Sequence, residues 1–324
     1  MTHVIPPLLA GRTVRCILFD LGGTVWYRNK CAWPQLEACA NRHAGALLRQ
    51  AFSPGSLSCS DDETLGHWLR KALNEQFRQQ VHNAPDLEPD GPQALQQALL
   101  RCNIDVDRRL SNALFEALRI PVDPSRIPFD DTLPTLATLQ DRGFQLGVVT
   151  NRLWGGKPFI EGMQDLGMLK YFDPQKMAIS ADLLLRKPAP EIYQYALRAH
   201  GIPAEEAIMV GDSLPADVVG PQHLGMLTVW KPKAMVAQMV KEHLAKHGIC
   251  LERYNAEHAT PCEVRKDELP AEPLPQGMFD TTLADILNHS DYWHQFLLGH
   301  IRPDFIIQDL QDLLDIFLVA GRQL

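Results

Sequence analysis

The chain has 324 residues, 45% of them hydrophobic and 22% charged, with 31 basic against 39 acidic side chains and a formal net charge of -8. That length allows one large domain with additions or two domains, and the apolar content is enough for a sizeable core. The acidic balance speaks against non-specific binding to nucleic acid or to an anionic membrane, without excluding a small anionic substrate. Seven Cys are scattered with no C-x-x-C pair, which fits a reducing cytoplasm rather than a disulfide framework. The opening MTHVIPPLLAG has no Lys or Arg and contains two Pro, so no signal peptide is expected. No apolar run reaches the ~18 residues of a membrane span.

Residues Val14 to Asp20 form a short apolar run ending in an acid and then Gly-Gly, which predicts a buried parallel strand opening into a loop. From about Ala32 to Leu118 the apolar residues recur at helical spacing. The sets are Trp33, Leu36, Ala40, Leu47; then Leu65, Trp68, Leu69, Ala72, Phe77; then Leu95, Ala98, Leu99; then Leu110, Leu114, Leu118. Turn-rich breaks at Ser53–Ser56 and Pro89–Pro92 separate them, so a helical subdomain is predicted. After Pro121–Pro128 the pattern alternates. Phe144–Thr150, Met177–Ser180, Ala207–Gly211 and Met226–Trp230 read as strands, and Pro158–Leu166, Pro188–His200 and Ala216–Leu224 as helices. Repeated βα units predict an α/β fold with a doubly wound parallel sheet, whose ligands bind at the carboxyl ends of the strands. Asp20, Thr150 and Asp212 stand at three such ends.

The remaining chain is less regular. Met235–His247 reads as one helix, Glu268 to Gln276 as a Pro-rich loop, and Pro303–Ile307 as a strand. Leu310, Leu313, Leu314 and Phe317 then follow as an amphipathic helix. His243 and His247, four residues apart, could ligate zinc, although no zinc spacing is completed around them.

Four local patterns carry chemistry, in a fixed order: CILFDLGGT, LGVVTN, RKPAP and IMVGDSLPAD. Taken singly each is weak, since an Asp at a strand end is more often a turn or helix cap. As an ordered set they resemble the motifs of the haloacid dehalogenase superfamily, hhhhDxDGT, hhhhT/S, a Lys often followed by Pro, and hhhGDxxxxD. The resemblance implies a Rossmannoid core at 12–27 and 128–232, a helical C1 cap at 28–127, an insertion of unassigned role at 233–302, and a return to the core at 303–324. It implies a cytoplasmic hydrolase that uses Mg²⁺ and acts on a small phosphorylated substrate. Asp20 would be the nucleophile, with Lys187 and Thr150 offsetting phosphate charge. Asp20, the carbonyl of Gly22 and Asp212 would hold the metal, Asp217 would bind it through water or hold Lys187, and the amides of Leu21, Gly22 and Asn151 would cradle the phosphate.

The sequence departs from the family pattern at one position. Phosphatases of this kind carry a second Asp two residues after the nucleophile, as the acid that protonates the leaving oxygen. Here that residue is Gly22. The haloacid dehalogenases lack the Gly-Asp metal pair, so Gly211-Asp212 argues for phosphate over halide. The expectations are therefore a phosphatase favouring leaving groups that need no proton, or one that borrows an acid from Tyr27, Arg28, Asn29 or His43. The alternatives are a weakened or inactive binding or regulatory protein on the same scaffold, or another activity of the superfamily, phosphotransfer or dehalogenation. No nucleic-acid or membrane partner is expected, and a homo-oligomer is left open.

Overall fold

The computed structural model describes residues 8, 9, 11–52, 61–259 and 290–321. Its ten strands in chain order are β1 (Leu8–Leu9), β2 (Arg12–Thr13), β3 (Cys16–Phe19), β4 (Trp26–Arg28), β5 (Arg126–Pro128), β6 (Gln145–Thr150), β7 (Ala178–Ile179), β8 (Ala207–Gly211), β9 (Leu227–Trp230) and β10 (Phe305–Ile306). No helix among the described residues is long and apolar enough to cross a membrane. The chain divides into two compact units, residues 1–25, 129–149 and 193–324 in the first and 26–128 and 150–192 in the second.

The first unit holds the expected parallel sheet, with neighbours in the order β10-β9-β8-β3-β6. Every residue of β3, β8 and β9 is buried, as sheets covered on both faces require. From β3 the chain goes to β6 on one side and later to β8 on the other, so the order reverses beside β3. Ligands of open α/β sheets bind in the crevice made by such a reversal. Register brings the strand ends level there: Phe19 pairs Val210, and Gly211 pairs Trp230.

The segment beyond β9 packs onto the same sheet. Helices at 234–246, 251–259 and 290–297 send Val240, Leu244, Tyr254, Trp293 and Phe296 into one buried cluster with Trp230 and Ile306. Asn255 closes the open edge of β10 with its side-chain amide, which donates to the Ile306 carbonyl at 2.8 Å and accepts from the Ile306 N–H at 2.9 Å. An unpaired strand edge is thereby satisfied without a further strand. The final strand and helix appear at 305–306 and 312–321.

The second unit contains the helices α1 (Trp33–Ala51), α2 (Asp62–Asn83), α3 (Gly91–Arg101) and α4 (Arg108–Ala117). Three of them start on aspartate N-caps. Asp61, Asp90 and Asp107 accept from the N–H groups of Thr64, Gln93 and Leu110 at 2.8, 2.9 and 2.7 Å. The Pro89–Pro92 break is thus a helix start. Leu48, Leu69, Leu73, Leu95, Leu99 and Leu114 form the core between the helices. Elements that periodicity did not reveal are the antiparallel β4–β5 pair and the helices at 132–141 and 251–259. The Ser53–Ser56 and Glu268–Gln276 segments lie outside the described residues.

Candidate active site

Three acids of the first unit converge. One carboxylate oxygen each from Asp20, Asp212 and Asp217 lies within 4.8 Å of the other two. Asp20 is 8% exposed and Asp217 only 1%. Three anionic groups this close and this dry repel one another strongly, and a cation is the ordinary remedy. The donor set is all oxygen, which suits a hard divalent ion such as Mg²⁺.

Local structure explains each placement. Asp20 follows β3, and its N–H donates to the Val210 carbonyl at 2.9 Å. Asp212 follows β8; its carbonyl accepts from the Trp230 indole at 3.0 Å, and its carboxylate lies 3.3 Å from the Lys233 ammonium. Asp217 sits on a π-helical turn at Leu214–Val219, a rare geometry frequent at functional sites. Its carboxylate accepts from the Ser213 N–H at 2.9 Å. A Cβ at Gly211 would overlap that carboxylate, and one at Gly23 would overlap the carboxylate of Asp212. Gly23 also has φ +83, which L side chains rarely adopt.

Two buried residues beside the acids carried no signal in the motifs. Lys231 directly follows β9, is 6% exposed, donates to the Gly23 carbonyl at 3.4 Å and lies 4.0 Å from the Phe129 ring centre. Burial pulls its pKa down, against the pull of Asp131, Asp309, Asp212 and Asp312. Its position at a fourth strand end was the available clue. The Tyr193 hydroxyl donates to the Ala216 carbonyl and is held well above its ordinary pKa by burial, then by Asp217 and Asp20.

Thr150, Asn151 and Lys187 fall in the second unit. Thr150 is the last residue of β6 and 2% exposed; Lys187 is 4% exposed. The Asn151 side chain grips the Lys187 backbone on both sides, accepting its N–H at 2.9 Å and donating to its carbonyl at 3.0 Å. The preceding Arg186 is tied to the α2–α3 loop: its N–H donates to the Asp86 carbonyl at 2.9 Å, and its guanidinium meets the buried Glu88 at 2.6 Å. Burial raises the Glu88 pKa, although Arg186 opposes it.

Leu21 is buried and Gly22 exposed, and a Cβ built at Gly22 meets no atom within 4 Å. Of the substitute acids, Asn29 is committed elsewhere: its side chain accepts from the N–H groups of Cys31 and Ala32 and donates to the Pro124 carbonyl. His43 is exposed on α1, and Arg28 lies over the Trp33 ring. The His243 and His247 rings are 4.9 Å apart, and among the described residues they gather no third ligand.

A parallel sheet with acids collected at a strand-order reversal defines an α/β protein of the class whose ligands bind at the strand tips. More narrowly, the chain belongs to the haloacid dehalogenase-like hydrolases, whose family model matches residues 14–225. It is 36% identical over 237 residues to pyrophosphatase PpaX of Bacillus pumilus, across 72% of this chain and 89% of that one. It is 28% identical over 220 residues to glyceraldehyde 3-phosphate phosphatase of Methanopyrus kandleri, across 67% of this chain and 83% of that one. Four other relatives of the latter name are matched over 38% to 52% of their own length. Among solved structures, a 2-haloacid dehalogenase from Pseudomonas syringae pv. Tomato DC3000 covers 96% of this chain and 100% of its own at 18% identity, with a TM-score of 0.49.

Proposed function

We propose that this hydrolase is a cytoplasmic, Mg²⁺-dependent phosphatase acting on a small phosphorylated metabolite through an aspartyl-phosphate at Asp20. The observation that carries the reading is the convergence of Asp20, Asp212 and Asp217 within 4.8 Å. Asp20, Asp212, Asp217 and the Gly22 carbonyl would hold the metal, which when bound supplies charge neutralisation for an attack of carboxylate on phosphate. Asp20 attacks phosphorus, the ester oxygen leaves, and water then hydrolyses the acyl phosphate, so one difficult step becomes two easier ones. Lys187 and Thr150 offset the charge on the transferred phosphoryl group, and the amides of Leu21, Gly22 and Asn151 hydrogen-bond its oxygens. In this reading α1–α4 are the C1 cap, and residues 233–302 are an insertion that completes the edge of the core.

Both named relatives are phosphatases by name, and they differ in substrate, which supports the class and not one compound. Gly22 in the acid slot favours aryl and acyl phosphates, whose leaving groups need no proton. The same residue supports the competing reading, a binding protein on a hydrolase scaffold. Hydrolysis of 4-nitrophenyl phosphate with Mg²⁺ separates them. We expect turnover that falls to background in Asp20→Asn; an equal rate in that variant removes the enzymatic reading.

A further inference from the structure

The acid cluster shares the first unit with two lysines that belong to none of the motifs. After β9 the chain runs Lys231-Pro232-Lys233 into the helix at 234–246. Lys231 prolongs the β9 ladder, its N–H donating to the Gly211 carbonyl at 2.8 Å. A residue before proline is pushed to extended backbone, and Lys233 itself has φ −57 and ψ 149. Residues two apart on an extended chain point to the same side. Both lysines accordingly come to Gly23. The Lys231 ammonium donates to its carbonyl at 3.4 Å, and the Lys233 Cε stands 3.4 Å from the place a Cβ would take.

The two differ in what holds them. Lys231 is buried, lies over the Phe129 ring and feels Asp131 and Asp309 ahead of Asp212, so its charge is shared among several carboxylates. Lys233 stands at the rim. Its side chain is 55% exposed, and its ammonium lies 3.3 Å from the carboxylate of Asp212, whose own side chain is 10% exposed. Asp212 is its one ion-pair partner among the described residues. An ammonium on so exposed a stem returns to water at little cost, whereas the carboxylate is fixed in the cluster. Three carboxylates within 4.8 Å attract any cation that reaches them, and Lys233 is a cation that the chain itself supplies. Two cations that answer one carboxylate repel each other, so the hold of one weakens the hold of the other.

We propose that Lys233 is a tethered competitor of the metal ion. Its ammonium neutralises Asp212 in the ion-free protein and lowers the affinity of the acids for Mg²⁺. The site then loads at a higher ion concentration than the three carboxylates alone would need. The inference rests on the metal part of the phosphatase reading and adds to it the residue that sets the loading threshold. Lys233 acts here through Asp212, as a positioning residue.

Mg²⁺ titrations followed by thermal unfolding of the full chain test it without turnover, in the wild type, Lys233→Gln, Lys233→Arg and Lys241→Gln. Lys241 is an exposed lysine of the same helix, ~12 Å further along its axis, and controls for net charge. Loss of a merely structural contact weakens ion binding, whereas loss of a competitor strengthens it, so the sign decides. We expect Lys233→Gln to bind Mg²⁺ about three- to tenfold more tightly than the wild type, with Lys233→Arg and Lys241→Gln within about twofold of it. A dissociation constant in Lys233→Gln equal to or larger than the wild-type value overturns the proposal. A gain of the same size in either Lys233→Arg or Lys241→Gln overturns it too. No Mg²⁺-dependent stabilisation in any of the four proteins removes the metal reading and this inference with it; Mg²⁺ that stabilises all four alike removes this inference alone.

Discussion

Gly22 and Gly23 are adjacent and identical in type, yet they answer to different constraints. Gly22 has open space at its Cβ and is absent from the positive-φ residues, so an aspartate fits the backbone and the space. We expect Gly22→Asp to fold with a stability change within ~0.5 kcal/mol and to raise turnover of alkyl phosphates by up to ~10²-fold, as a restored proton donor should. A steady-state comparison of alkyl and aryl esters checks it; no gain on the alkyl ester means that more than the acid is missing. Gly23 combines φ +83 with the Asp212 carboxylate where a Cβ would stand. Gly23→Ala should cost ~1–2 kcal/mol in urea unfolding and weaken the stabilisation given by Mg²⁺, because Asp212 must move. Sequence reading set Gly22 apart as the residue in the acid slot but could not tell which of the two needs a positive φ, since φ is not written in residue identity. The family resemblance pointed to Asp20, Asp212 and Asp217 but passed over Lys231, which belongs to none of the motifs.

At the scale of elements, the loop between α2 and α3 does more than join two helices. Glu88 meets Arg186 inside the protein, and the backbones of 86–88 and 184–186 bond to each other, which fixes the strand-like approach to Lys187. Burial lifts the folded-state pKa of Glu88 above its ordinary 4.5. Between those two values the folded chain therefore binds a proton that the unfolded chain has released, so this group's contribution to stability is complete below 4.5 and is lost as pH rises through the folded value. Glu88→Gln should flatten the fall of stability with pH in that window by up to one proton, measured by urea unfolding at a series of pH values; an unchanged slope sinks the account. None of this was legible beforehand. The periodicity of α1–α4 is strong because each buries a long apolar stripe. The three residues of β4 and of β5 are too few to show alternation, and a pairing between residues 98 apart leaves no local trace.

For the molecule as a whole, two expectations concern stability. The segment after β9 contributes to the same core as the sheet, so Trp293→Ala should cost ~3–5 kcal/mol, as large-to-small changes in a packed core do. A scanning calorimetry profile with a separate low-temperature transition and an unaltered main one would instead make that segment an independent appendage. Mg²⁺ at about a hundredfold excess over its dissociation constant should stabilise the fold by ~2.7 kcal/mol, and Asp212→Asn should abolish most of that. The α/β alternation and the motif order made the sheet and its acids readable from sequence. Helices after residue 230 were partly readable too, but not what they pack against, because those contacts span long stretches of chain. Trp230 links the two. Its ring lies 5.0 Å from Phe296 and 6.4 Å from Trp293, while its indole N–H is hydrogen-bonded to Asp212. The bond runs to the main-chain carbonyl of a residue whose carboxylate is the proposed ion ligand, so on the proposed function Mg²⁺ should change the intrinsic emission of the protein, an optical readout that needs no label.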